Sequence, residues 1–377
     1  MKVVVACDSY KGCMTSMEVN EVIAKGFKDA VPECEVITVP IGDGGEGTCD
    51  AFESITRGER IEVEVVDAYF KKIKASYILS GNTAFFEIAS IIGLTMVERG
   101  KRNPFMASSY GVGLMIKEIA KNPNVKRLII ALGGSSTNDG GLGVLQALGV
   151  KFFDRRGNIL SAQPRFLSRV ESVDFSHCMD LGHLELIAAC DVKNHLLGRE
   201  GCTYVFGKQK GIYPNQFEKF DRDLFHYSEK IRLDSGFDLN ACEGGGAAGG
   251  IGSVLLSIFH ARMIPGFEVI FEVAGFDRLL SDCDLVITGE GQTDLQTRYG
   301  KAPMGVLQHA KLFDKPVIII SGALGLEYME LYKDGFSGIY SIADRAMTFQ
   351  QALSQAAEKL YAFSYGLMKT IDEIRKQ

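Results

Sequence analysis

The 377-residue chain lacks any basic block, and its net charge is −6, from 41 Lys and Arg against 47 Asp and Glu. A polyanion needs a positive face, so nucleic acid is not an expected partner. No apolar stretch approaches the ~20 residues that cross a bilayer, so no membrane partner is expected either. The opening run Lys2-Val3-Val4-Val5-Ala6 reaches a charge at Asp8. That is too early for the ~7–15 apolar residues of a secretory leader, and the expected location is the cytoplasm. The nine cysteines are scattered, odd in number and without a C-x-x-C pair. In a chain of this length they read as small buried hydrophobes in a reducing compartment. The six histidines form no H-E-x-x-H and no paired Cys/His spacing, which argues against a zinc site.

What is present fits a globular α/β protein: 46% hydrophobic and 23% charged residues, with Gly 42 and Pro 9. Single cores stop growing near ~250–300 residues, so more than one domain is expected. The apolar run Val3–Ala6 reads as a strand. Thr15 and Glu18 form a capping box, after which Val19, Val22, Ile23, Phe27 and Ala30 recur at helical spacing. Glu35–Val39 returns as a strand, completing a βαβ unit. The same rhythm reappears near the other end: strands at Leu285–Thr288, Val317–Ile320 and Ser337–Ile342, helices at Pro303–Phe313 and from about Leu326, and a long helix from Phe349 onward. Between them, Ile61–Val66, Ile73–Leu79 and Thr83–Ala89 follow one another without helices and predict antiparallel pairing. The expected architecture is therefore a parallel, three-layer α/β domain of Rossmann or flavodoxin type formed by both chain ends, residues 1–58 and 276–377. A mixed α/β domain, residues 59–275, is inserted between them. The ligand is expected in the cleft between the two.

Several loops carry the residue types that charged ligands need. Cys7–Met14 follows the first strand and enters a helix N-terminus, where anions are favoured. Lys11 adds positive charge there and Gly12 permits close backbone approach; an ordinary βα loop with an exposed lysine fits the position equally well. Asp43-Gly44-Gly45-Glu46-Gly47-Thr48 follows the second strand and offers carboxylates to Mg²⁺, with an acidic turn before a helix as the plain alternative. In Gly133-Gly134-Ser135-Ser136-Thr137-Asn138-Asp139-Gly140-Gly141, glycines and hydroxyls suit a phosphate nest, and Asp139 is available to a metal. Asp191 ends an apolar strand, a position for a general base or for a turn cap. Gly244–Gly249 matches G-x-G-x-x-G, but Asp238-Leu239-Asn240-Ala241 before it is not an apolar strand, which argues against a nicotinamide dehydrogenase. Glu290, Asp294 and Lys301 surround glycines after a later strand. Gly207-Lys208 and Gly300-Lys301 lack the upstream glycine of a Walker A loop, and no H-R-D or D-F-G set exists.

Taken in order, these segments resemble the bacterial glycerate kinase family whose members begin A-P-D-S-F-K-G. The resemblance runs through Asp8–Gly12, Asp43–Thr48, Arg102-Asn103-Pro104, Ser109-Tyr110-Gly111, Gly133–Gly141 and Ala189–Val192. It continues through Phe206–Gly211, Gly246–Gly250, Thr288–Gly291 and Gly300–Pro303. Departures from the family pattern are Cys7 for Pro, Cys13 for Ser, Gln292 for Arg, and Lys193 and His195 for Asp and Pro.

The resemblance implies ATP- and Mg²⁺-dependent transfer of a phosphoryl group to a hydroxyl of D-glycerate, with 2-phosphoglycerate favoured as product. A kinase of another small hydroxy acid and a non-catalytic sugar-acid or nucleotide sensor are the alternatives, although no output module such as a helix-turn-helix is visible. Lys11, Asp43 and Asp191 are the expected catalytic residues, the two aspartates sharing proton acceptance and Mg²⁺ binding in an unassigned order. Ser9, Lys11, Gly12, Arg102 and Asn103 are expected to bind substrate. Gly133, Gly134, Ser135, Asn138, Asp139, Gly140, Gly141, Gly246 and Gly249 are expected to bind nucleotide, with Glu290, Asp294 and Lys301 in support. Whether the chain forms a homo-oligomer is open at this level.

Overall fold

In the strand Lys2–Cys7, Val3, Val5 and Cys7 pack with Ile23, Phe27 and Leu360 on one face. Val4 and Ala6, between them, are also fully buried. A strand apolar on both sides belongs inside a parallel sheet covered by helices. The computed structural model, which describes residues 1–42, 44, 45 and 47–376, places it there. Five parallel strands lie in the order Gly338–Ser341, Val317–Ser321, Leu285–Gly289, Lys2–Cys7 and Glu35–Thr38. Numbered along the chain, this is the doubly wound order 2-1-3-4-5, which puts the switch point between Lys2–Cys7 and Leu285–Gly289. Cys7 stands opposite Gly289 at the carboxyl end of that pair.

This sheet belongs to a unit of residues 1–43, 50–56 and 267–377. Its first helix, Ser16–Ala30, has the expected capping box of Thr15 and Glu18, and it packs against the helix Ala356–Arg375. Two C-terminal expectations are corrected. The turn after Leu326 is a 3₁₀ segment, Tyr328–Asp334. The last helix is divided at Gln355 into Phe349–Ser354 and Ala356–Arg375.

The other unit comprises residues 44–49 and 57–266. Its six-stranded sheet runs Arg262–Ile264, Glu185–Ala189, Arg127–Ala131, Thr83–Glu87, Lys72–Ser80, Glu59–Val66. The first four are parallel and the last three pair antiparallel, as their sequence spacing predicts. On the outer antiparallel pair, Lys72 meets Glu64 and Lys74 meets Glu62. Charges of this kind discourage pairing with another chain's edge. The inner parallel strands are almost wholly buried, and the loop after Arg127–Ala131 buries five polar residues in a row, Ser135 to Asp139. No helix among the described residues is long and apolar enough to cross a membrane.

Candidate active site

At the switch point of the first unit, the Asp8 N–H donates to Gly289 O at 2.9 Å. A Cβ placed on Gly291 would lie 3.3 Å from the backbone nitrogen of Lys11. Topology thus joins two loops separated by some 280 residues of sequence. The first closes on itself, with the Tyr10 and Met14 backbones bonded to each other and the Tyr10 hydroxyl donating to Ile320 O at 2.8 Å. Lys11 and Gly12 are left exposed at its tip. Gly12 has φ of +78°, and a Cβ placed on it would meet nothing within 4 Å, so the turn itself, not a close approach, requires glycine. The following helix begins with the expected capping box. Thr15 N–H and Oγ donate to the Glu18 carboxylate at 2.8 and 2.9 Å, which holds that carboxyl below its usual range.

The second loop of this pair surrounds Glu290, which is 7% exposed. Its carboxylate accepts from Lys301 Nζ at 2.8 Å, Thr297 Oγ at 2.6 Å and Thr293 Oγ at 3.3 Å. Thr293 also shares a hydrogen bond with Ser321. The Lys301 side chain remains 39% exposed, so Glu290 anchors an ammonium that still meets solvent. Asp294, expected to support the ligand, caps the 3₁₀ segment Leu295–Arg298, accepting from Gln296 N–H at 2.9 Å. Ser9 is half-buried beside Asp8, whose carboxylate accepts its N–H.

In the second unit, the Gly133–Gly141 loop is braided into its neighbours. N–H groups of Gly133, Ser136 and Gly140 donate to the carbonyls of Gly44, Ile92 and Gly249. Only Gly133 and Gly134 reach the surface; Ser135, Asn138 and Asp139 are buried. Asp139 is wholly enclosed and accepts from Ser109 N–H and Oγ, Gly141 N–H and Gly143 N–H. Burial raises its pKa, against the opposing pull of those donors. These bonds tie the loop to Ser109 and to the helix that follows it. Gly246 and Gly249, expected to bind nucleotide, sit at close backbone contacts. Both are buried, and a Cβ on them would meet Asn194 O at 2.9 Å and Asn138 Cα at 2.7 Å respectively. They let backbone segments touch; Gly140 and Gly141 lie in that same contact region, bonded to Gly249 and Asp139.

Asp191 sits just beyond the strand Glu185–Ala189, exposed, with one oxygen accepting the Gly266 N–H at 3.2 Å. Asp43, and Glu46 beside it, lie outside the described residues. Arg102 does not present its guanidinium outward: it donates to the carbonyls of Val97, Gln209 and Leu94 at 3.1, 2.7 and 2.7 Å. Asn103 forms a local turn, its side chain accepting Phe105 N–H. Both of these expected substrate ligands hold backbone in place.

Glu87 and Lys210 are not among the expected site residues, although Lys210 lies in the Phe206–Gly211 run that carries the family resemblance. Glu87 ends the buried strand Thr83–Glu87, is 8% exposed, and accepts the Cys49 N–H at 3.1 Å. Its signal, a carboxylate closing an apolar strand, is the one that marked Asp191. Lys210 is 3% exposed and reaches Ser135 Oγ and Thr137 O; nothing in the pattern around it announces a buried lysine. Among the described residues no three His, Cys, Asp or Glu converge as a metal site. A Mg²⁺ carried largely by phosphates and water needs only one or two carboxylates, and exposed Asp191 suits that part.

The model of the glycerate kinase family matches residues 3–372. The chain is 39% identical to a glycerate kinase of Bacillus cereus over 364 residues, covering 96% of this chain and 95% of that one. It is 36% identical to the glycerate 2-kinase of Escherichia coli over 374 residues, 98% of both chains. A solved structure of a candidate glycerate kinase 2 from Salmonella typhimurium LT2 superposes with a TM-score of 0.87 at 36% identity, covering 100% of each chain.

Proposed function

The chain belongs to the glycerate kinase family, and from that premise we propose that it phosphorylates D-glycerate with ATP to give 2-phosphoglycerate. The observation that carries the reading is the meeting of the Asp8–Met14 and Gly289–Lys301 loops at the switch point of a doubly wound sheet. That crevice collects two lysines that meet solvent, Lys11 and Lys301, beside a buried carboxylate. Such charge suits a small carboxylate substrate and a transferring phosphoryl group. The 2-position is favoured because the Escherichia coli relative, similar over nearly its whole length, is a glycerate 2-kinase.

Phosphoryl transfer asks for positioning and charge neutralisation more than covalent chemistry. The substrate hydroxyl oxygen bonds to the γ-phosphorus while the bond from that phosphorus to the bridging oxygen of ADP breaks. Lys11 and Ser9 hold the glycerate carboxylate or the transferred group, and Lys301, held in place by Glu290, adds positive charge. Asp191 and Asp43 share two duties: one accepts the hydroxyl proton and the other helps hold Mg²⁺. When bound, Mg²⁺ neutralises phosphate oxygens. The exposed Gly133–Gly134 end of the buried loop receives the nucleotide phosphates. The cytoplasm, where ATP is maintained, is the compartment this reaction needs.

A coupled ADP-release assay with D-glycerate, L-glycerate, tartronate and no acid tests this reading. D-glycerate should give the highest kcat/KM, and the no-acid rate should be negligible. A higher value for another acid, or release independent of acid, would reassign the substrate.

A further inference from the structure

Lys210 is a lysine sealed inside the second unit, and its ammonium donates to two neutral groups, Ser135 Oγ at 3.1 Å and Thr137 O at 2.7 Å. Removing an ammonium from water without an adjacent anion is strongly unfavourable, by several kcal/mol. Burial accordingly pushes its pKa down to about 8, while Cys202 and Asp139 oppose that shift. The Cys202 thiol is itself pushed up to about 11 by burial, so it brings no compensating charge near neutrality. Asp139 directs its oxygens at Ser109, Gly141 and Gly143. Thr137 Oγ and Asn138 Oδ1, in the same interior, are buried with no hydrogen-bond partner among the described residues.

The lysine's own turn is firmly held. Arg102 donates to Gln209 O at 2.7 Å, and a Cβ on Gly211 would lie 2.8 Å from Arg102 O. The ammonium is therefore fixed beneath Ser135, one residue from the exposed Gly134. A purely structural role would be served better by an uncharged side chain, because a polar group that is buried neutral avoids the desolvation of the ion.

We propose that Lys210 is a positioning residue for the nucleotide: it fixes the Ser135–Thr137 backbone and places a buried positive charge behind the Gly133–Gly134 tip, which then receives the polyphosphate of ATP. This rests on the assignment of that loop to the nucleotide.

The test is steady-state kinetics of the full-length enzyme, varying ATP and glycerate separately, for Lys210→Met and Lys210→Arg. Lys210→Met should raise KM for ATP by about tenfold or more, the loss of a charge-assisted interaction, with KM for glycerate little changed. In the wild type, KM for ATP should rise as pH passes about 8 and Lys210 loses its proton. Lys210→Arg should lack that rise, since guanidinium stays charged. Equal losses toward both substrates in Lys210→Met would overturn the proposal and leave a structural lysine. An effect confined to KM for glycerate would instead overturn the nucleotide assignment of the loop. Should Lys210→Met fail to fold, the pH profiles decide: the same alkaline rise in wild type and Lys210→Arg would contradict the proposal.

Discussion

Both the N–H and the Oγ–H of Ser109 donate to one oxygen of Asp139, each at 2.8 Å, in the interior of the second unit. Asp139→Asn removes the charge on which these donors converge and turns one acceptor oxygen into an amide donor. The expected loss is about 2–3 kcal/mol of stability, read as a lower Tm or urea midpoint. A variant with wild-type stability but no ATP binding would make Asp139 a ligand after all.

Lys301 and Glu290 tie activity to stability. The lysine is 39% exposed, but its partner carboxylate is buried, so the pair is not a surface ion pair. Lys301→Met leaves the buried Glu290 carboxylate with Thr293 and Thr297 as its donors, so Tm should fall by the equivalent of roughly 1–3 kcal/mol, while kcat/KM drops by about 10²–10³, the usual effect of deleting a charge that stabilises the transition state. Glu290→Gln, which keeps a hydrogen-bonding group beside Thr297, should fall between that variant and wild type. Unchanged kcat/KM in Lys301→Met would remove this lysine from the chemistry.

His309 offers a pH test of stability. Its ring nitrogens lie 2.6 Å from Asp277 and 3.3 Å from Glu268, joining three helical segments of the first unit. Burial pushes its pKa down, but the bonds to Asp277 and Glu268 outweigh this and hold it above the ordinary value. A group whose folded pKa is raised stabilises fully below its unfolded value, near ~6.5 for histidine, and loses that contribution as pH rises through the folded value. Wild-type Tm should therefore exceed that of His309→Gln most at about pH 5.5–6, with the gap shrinking in the alkaline direction. A gap that grows with pH would contradict the ion pair.

Much of the scaffold was legible because hydrophobic period and turn residues speak locally. The doubly buried run Val3–Ala6, the Thr15–Glu18 cap and the three strands without helices between them all took their expected forms. What stayed hidden was which polar groups the protein keeps for itself. Asp139 and Arg102 have ligand-like chemistry in the sequence, yet most of their hydrogen bonds go to backbone groups, some of them from distant segments. Lys210 is the reverse case: an ordinary-looking lysine whose burial depends on a loop some seventy residues away. The Gly-rich runs show the same ambiguity, since close backbone packing and phosphate binding both select glycine.

Glycerate 2-kinase activity is tested most directly by ³¹P and ¹³C NMR of the product formed from D-glycerate and ATP. One equivalent of phosphoglycerate should form per ADP, with the phosphate coupled to C2. A phosphate on C3, or ADP formed without any phosphoglycerate, would contradict that assignment.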